Sequence, residues 1–249
     1  MTPIAVQLYS LRAESEKDFR KVLEDVAAMG YQGVEPAGFY DMTPAGFRKV
    51  VEDLGMSVSS SHRPWATPDS LAEVIDTVGV LGLNKAAGGF GPDDFKDLDA
   101  IRRTADTVNG MTESLAAVGI DLFLHNHFWE FDLIDGRIAY DYLAELCPGV
   151  KFEIDTYWAS NFGANDPSEQ VAKFKHRTPL LHIKDGPLEK GRAMVAVGQG
   201  KMDMASVIRA ADPDVLEWLV VELDACDTDM TTAVRESYAY LSKLVAELE

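Results

Sequence analysis

The chain has 249 residues, 47% of them hydrophobic, and a formal net charge of −18. That excess of negative charge repels polyanions and argues against a nucleic-acid partner. No apolar run reaches the roughly 18 to 20 residues of a membrane span. The opening Met-Thr-Pro-Ile-Ala-Val-Gln-Leu-Tyr has neither the basic head nor the apolar stretch of a signal peptide, so a cytoplasmic protein is expected. Cys147 and Cys226 stand far apart with no metal-binding spacing, and reduced, inert thiols are expected.

From the N-terminus, Ile4 to Tyr9 reads as a short strand. Residues 16–29 follow with Phe19, Val22, Leu23 and Val26 at helical spacing, and Gly30 ends that helix. The junction of helix, glycine, apolar residue and short strand recurs after Met29, Leu54, Leu81 and Val118. Those junctions lie one strand-plus-helix unit apart, which makes the repeat supersecondary. Continuing in order, strands are expected near 4–9, 33–36, 56–62, 84–88, 120–127, 150–155, 179–184 and 217–223. Helices are expected near 16–29, 44–54, 68–81, 98–118, 138–146, 167–176, 203–210 and 229–247. Thr43-Pro44, Thr67-Pro68 and Asp166-Pro167 each place a capping side chain before a first-turn proline. Eight strands alternating strictly with eight helices predict an α/β fold, a single (β/α)8 barrel domain over 1–249 with parallel strands. The longer inserts, 88–96, 130–136 and 186–201, all follow strands and so gather at the C-terminal rim, where such barrels build their sites.

The strand ends carry the chemistry. In Asp121-Leu-Phe-Leu-His125-Asn-His127-Phe-Trp-Glu130, the two histidines are two apart and share a strand face, and Glu130 follows where a loop can fold it back. Asp155, His182 with Lys184 and Asp185, and Glu222 with Asp224 end later apolar runs in the same way. Parallel strands bring His62, His125, His127, Asp155, His182 and Glu222 to one rim. Taken singly, each is more simply a hydrogen-bonded core histidine or a loop carboxylate; their convergence is what points to a divalent cation site. Imidazole and carboxylate without thiolate suit manganese, zinc, cobalt or magnesium. Lys184 is placed either to neutralise an enolate or to pair with Glu153 or Asp185. Gly198-Gln-Gly200-Lys201 reads as a small anion cradle. Trp129, Trp158, Phe39 and Trp65 follow strands and would suit an aromatic wall against a sugar ring, although packing under loops is the commoner fate of such residues. His62, Trp129, Trp158 and Lys201 are therefore the expected substrate contacts. There is no Gly-x-Gly-x-x-Gly loop, no Gly-x-x-x-x-Gly-Lys-[Ser/Thr] loop and no Gly-x-Ser-x-Gly elbow, which leaves nucleotide cofactors and serine hydrolysis unsupported.

In this order and spacing, six segments resemble the sugar phosphate isomerase/epimerase family, xylose isomerase-like barrels that include relatives of endonuclease IV. They are Gly30-Tyr-Gln-Gly-Val-Glu35, His125-Asn-His127 with Glu130-Phe131, Asp155-Thr-Tyr-Trp158, His182-Ile-Lys184-Asp185, Val197-Gly-Gln-Gly200 and Val221-Glu222. The resemblance implies one divalent metal, manganese in first place, held by a Glu, Asp, His, Glu set. Asp155, His182 and Glu222 match the last three members. The first departs from the pattern. Either His125 replaces the glutamate, or Glu130 reaches back, which is preferred because it keeps the site hard and anionic.

The same resemblance implies proton abstraction α to a carbonyl, through an enediolate, on a sugar, keto-sugar or cyclitol. Glu222 would serve one face and His125 or His127 the other, with Lys184 nearby. With no phosphate cluster beyond 198–201, an unphosphorylated substrate is expected. The outcome would be isomerisation or epimerisation; the alternative is β-elimination by a lyase or dehydratase of the inosose dehydratase kind. A nuclease and a non-catalytic sugar-binding barrel are lesser readings. The expected partner is a small sugar or cyclitol, without nucleic acid or membrane, and homo-oligomerisation is left open.

Overall fold

The computed structural model describes residues 2–248. In chain order the strands are β1 (Ile4–Gln7), β2 (Gly33–Glu35), β3 (Ser57–Val58), β4 (Lys85–Gly88), β5 (Asp121–His125), β6 (Leu133–Ile134), β7 (Arg137–Ile138), β8 (Lys151–Asp155), β9 (Leu180–Ile183) and β10 (Trp218–Val221). All but β6 and β7 form one parallel eight-stranded sheet, in the order β3-β2-β1-β10-β9-β8-β5-β4. The helices are α1 (Arg12–Met29), α2 (Pro44–Asp53), α3 (Leu71–Leu81), α4 (Leu98–Ala116), α5 (Ala139–Leu146), α6 (Thr156–Ala159), α7 (Pro167–Phe174), α8 (Met204–Ala210) and α9 (Met230–Leu248). This is the (β/α)8 barrel, with a short α6 and the β6–β7 hairpin added in loops at the C-terminal ends of strands. No described helix is long and apolar enough to cross a membrane.

Strand alternation builds two distinct interiors. Ile4 and Val6, Leu122 and Leu124, Phe152 and Ile154, Leu181 and Ile183, and Leu219 and Val221 face outward into the main core shared with the helices. Residues between them face the barrel axis, where Ala87, Phe123 and Leu180, with Trp218 against them, form a separate apolar plug near the N-terminal ends of the strands. Two residues further along the same inner face, the side chains become ionisable: His125 after Phe123, His182 after Leu180, and Glu153 and Asp155 on β8. An apolar floor therefore carries a polar mouth.

Helix ends follow the expected chemistry. Thr43 Oγ1 accepts the Gly46 N–H at 3.1 Å, and Asp166 Oδ1 accepts the Ser168 N–H at 2.8 Å. Gly30 and Gly82 cap α1 and α3 with φ of 102° and 75°, a region L side chains avoid. Two expectations change. The third helix starts at Leu71 and not at Pro68, because Ser70 bonds back to Trp65 O and Thr67 N and turns the chain once more before the helix begins. The third strand, expected over 56–62, shrinks to Ser57–Val58. Its serine hydroxyls bond elsewhere, Ser59 Oγ to Val34 O, Ser60 Oγ to Glu35 and Ser61 Oγ to Arg63 O, competing with a ladder. The side of the barrel between β3 and β4 is accordingly bridged by the Ala66 N–H donating to Ala87 O at 2.7 Å.

Both cysteines are free, and burial pushes the Cys147 thiol up to about 11, consistent with an inert packing residue. Phe152 is fully buried between Tyr140 and Phe174, at ring-centroid distances of 5.1 and 5.0 Å. Phe152→Ala removes a ring from this junction of sheet and helices and is expected to cost about 3–5 kcal/mol of stability in urea titrations.

Candidate functional site

At the C-terminal ends of β5, β8, β9 and β10, His125, Asp155, His182 and Glu222 each offer a ligand atom, and all four atoms lie within 4.8 Å of one another. All four residues are buried. The strand register explains the meeting, since Asp155 pairs with His182, which also pairs with Val220 two residues before Glu222. Asn126 locks the rim by accepting the Asp155 N–H at 3.0 Å and donating to Asp155 O at 3.2 Å. Beneath lies a second group, His62, His125, Glu153 and His182, equally close-set, with Glu35 beside it.

The charges are strongly coupled. Burial by itself would push the His182 imidazole down, but Glu153, Glu35 and Glu222 outweigh it and hold His182 well above the usual histidine range. Lys184 is likewise buried yet stays charged, because its Nζ lies 2.9 Å from Asp155, 2.7 Å from Glu222 and 2.7 Å from Asp224. Burial opposes ionisation of Glu222, but Lys184 and His182 hold its carboxyl well below the usual range. His125 is the exception: burial, reinforced by His182 and His62, pushes it well down, so it is a neutral imidazole. Its Nδ1 makes no hydrogen bond, although His125 is only 5% exposed. That nitrogen lies 3.2 Å from Glu153 Oε2, and a neutral imidazole grouped with two carboxylates and a second imidazole fits a divalent cation by the chemistry of the donor set.

The other expected residues fall into place unequally. Glu130 is buried but lies outside both donor groups. Its Oε2 accepts the His127 N–H at 2.9 Å and its Oε1 lies 3.9 Å from His127 Nδ1, so it supports His127 rather than joining the cluster. A short 3₁₀ turn at Trp129–Phe131 sets that distance. His127 stacks on Trp129 at 4.3 Å and borders a cavity of about 290 Å³ together with Tyr9, His62, Trp65, His125 and Glu222. Trp158 covers the Lys184 ammonium at 5.5 Å from its ring centre, and Phe39 packs on Phe47. Lys184 takes neither of its expected partners, because the neighbouring strands present Asp155 and Glu222 to it. Lys201 is exposed, paired with Glu189 at 3.3 Å and outside the cavity wall.

The glycine cradle is real, but it holds the chain's own anion. Asp185 Oδ2 accepts the Gly198 and Gly200 N–H groups at 2.9 and 3.0 Å, and its Oδ1 accepts those of Gly186 and Met202 at 2.8 and 3.1 Å. A Cβ on Gly200 would fall on that carboxylate. This closes the long loop after β9 and leaves the cradle no room for a substrate phosphate.

Glu35 and Glu153 were not expected as site residues. Glu153 had a signal, since it lies two residues before Asp155 and so shares its strand face. Glu35 had its position at the end of a buried strand and its place in the Gly30–Glu35 segment that carries the family resemblance.

The chain belongs to the xylose isomerase-like TIM barrel family, which it matches over residues 23–244. Among solved structures it is similar to a sugar phosphate isomerase/epimerase from Parabacteroides distasonis, with TM-score 0.80 and 24% identity over 96% of this chain and 93% of that one. It is also similar to an L-ribulose 3-epimerase, with TM-score 0.74 and 18% identity over 100% and 96% of the two chains. A probable 3-DHS dehydratase from Bacillus anthracis gives TM-score 0.74 and 11% identity over 96% and 98%. At these identities the likenesses establish the fold alone. None of the curated proteins compared with the chain matches it.

Because the surrounding carboxylates make His182 hold its proton to higher pH than an ordinary histidine, a cation in this set would displace that proton, whereas neutral His125 would contribute none. Manganese affinity is therefore expected to rise with pH as long as His182 is protonated, approaching about tenfold per unit, with roughly one proton released per ion. Calorimetric titration in buffers of different ionisation enthalpy measures both quantities.

Proposed function

We propose that the chain is a divalent-metal-dependent sugar isomerase or epimerase. It abstracts the proton α to a carbonyl on an unphosphorylated sugar, keto-sugar or cyclitol. The observation that carries this reading is the gathering of the buried His125, Asp155, His182 and Glu222 set at one mouth, beside a cavity that also exposes His127. A divalent ion in that set, manganese in first place, supplies Lewis-acid polarisation of the substrate oxygens next to the carbon being deprotonated.

The protein groups do the rest. Asp155 and Glu222 meet the Lys184 ammonium at 2.9 and 2.7 Å, so Glu222 enters the site ionised and able to accept a proton. His127 is the second proton-transfer group. Its ring is held by Trp129 on one face and its Nδ1 is turned toward the Glu130 carboxylate, 3.9 Å away. This reading gives His125 to the cation and His127 to acid–base work, two roles that the sequence alone leaves exchangeable. Returning the proton to the opposite face gives an epimer, and moving it to the neighbouring carbon gives an isomer. Handing it to a leaving hydroxyl gives a dehydration on the same residues.

The filled Asp185 cradle and the outward Lys201 support an unphosphorylated substrate. A cavity of this size with one arginine, Arg63, on its wall suits a small polyol better than a nucleic-acid strand. The test is incubation with manganese and a panel of ketoses and 3-keto sugars in deuterated water, followed by mass spectrometry and NMR. Deuterium at the carbon beside the carbonyl is the expected result, and its absence from every substrate class would refute the reading. Glu222→Gln is expected to abolish exchange. His127→Gln is expected to retain exchange while lowering product formation about 10²- to 10⁴-fold, the usual weight of one acid–base group.

A further inference from the structure

Two donor groups share His125 and His182, and a single ion cannot be centred in both. The orientation of His182 decides between them. Its Nδ1 lies 2.9 Å from Glu222 Oε2, toward the mouth. Its Nε2 points the other way, 2.9 Å from Glu35 Oε1 and 3.2 Å from Glu153 Oε1. His62 lies parallel to this ring, with centroids 5.2 Å apart, and its Nε2 reaches Glu153 Oε2 at 2.6 Å and Glu35 Oε1 at 3.2 Å. Glu35 is further held by the Gln7 amide, at 2.5 Å, and by the Ser60 hydroxyl. Both glutamates are fully buried, and neither lies on the wall of the cavity.

We infer that Glu35 and Glu153 are positioning residues for the metal centre. Glu35 accepts the Nε2–H of His182 at 2.9 Å and Glu153 Oε1 lies 3.2 Å from the same nitrogen, and together they fix that ring with Nδ1 as the cation ligand, while His62 bridges the two carboxylates from the side. This rests on the metal-dependent reading above and adds a layer to it. A metal-bound imidazole has one nitrogen on the ion and one N–H to place. A carboxylate behind that N–H holds the ring in one tautomer and makes it a better donor. Gln7 and Ser60 have the same purpose one step further out, since they fill lone pairs of Glu35 that would otherwise be free to swing it away. The lower group is therefore a hydrogen-bonded support and not a second cation site. This also explains why the inner layer holds Glu35 and Glu153, which a sugar in the cavity cannot touch.

The experiment compares cobalt and manganese binding by the full-length protein and by Glu153→Gln, Glu35→Gln, Glu153→Asp and Asp155→Asn. Folding of each is checked by circular dichroism in the absence of metal. For Glu153→Gln and Glu35→Gln, a 10- to 100-fold loss of affinity is expected, with one ion still bound and the cobalt visible bands shifted but present. Glu153→Asp keeps the charge and is expected to recover part of the affinity. Asp155→Asn is expected to lose the ion or its characteristic bands. Unchanged affinity and spectrum in both glutamine variants would overturn the inference. So would complete loss of the ion in Glu153→Gln together with retention in Asp155→Asn, which would move the cation to the lower group. If one glutamine variant does not fold, the other decides. Failure of the unaltered protein to bind either metal would instead refute the functional proposal, so the two failures are distinguishable.

Discussion

The structure depends on holding four carboxyl groups inside a barrel, where neighbouring cations keep Glu153 and Glu222 well below the usual range although burial raises Glu35 and Asp155. Glu35, Glu153, Asp155 and Glu222 crowd around the axis at 5% exposure or less. Transferring such groups out of water costs several kcal/mol each unless opposite charges and hydrogen bonds offset it. Lys184, His182 and His62 provide the offset in the metal-free protein, and each touches two or more of these carboxylates. An apolar plug of Phe123, Leu180 and Ala87 beneath prevents the polar cluster from draining into solvent on the other side.

The fifth strand gives this chain its particular character. A histidine stands where the resemblance leads one to expect a glutamate, so the donor set contains two imidazoles and two carboxylates. That makes the site softer and less anionic than three carboxylates would. The displaced carboxylate function has not vanished. Glu130 sits one turn beyond and faces His127.

Much of the barrel is legible because its signals are local. The glycine junctions after Met29, Leu54, Leu81 and Val118, the Thr43-Pro44 and Asp166-Pro167 starts and the alternation on β5, β8, β9 and β10 each act within a few residues. The failures are equally instructive. The third strand shortened because serine hydroxyls compete for hydrogen bonds in a way propensity does not register. The glycine cradle was recognised as an anion site, but its anion, Asp185, is thirteen residues before Gly198, and the loop path that returns it is not written in any local pattern. Lys201 was carried outward by the same loop.

The sequence by itself determined the order of elements, which strand faces turn inward, and that histidines and carboxylates end several of those strands. These follow from a two-residue strand period and from caps and turns that span a few positions. Only the tertiary structure decided that His125 joins the donor set while Glu130 turns to His127, that Lys184 pairs across to neighbouring strands, and that Glu35 and Glu153 lie behind His182. Those choices rest on barrel register and on electrostatic competition among groups on different strands, up to 147 residues apart, where a side chain's partner is whichever charge the closed ring brings within about 3 Å.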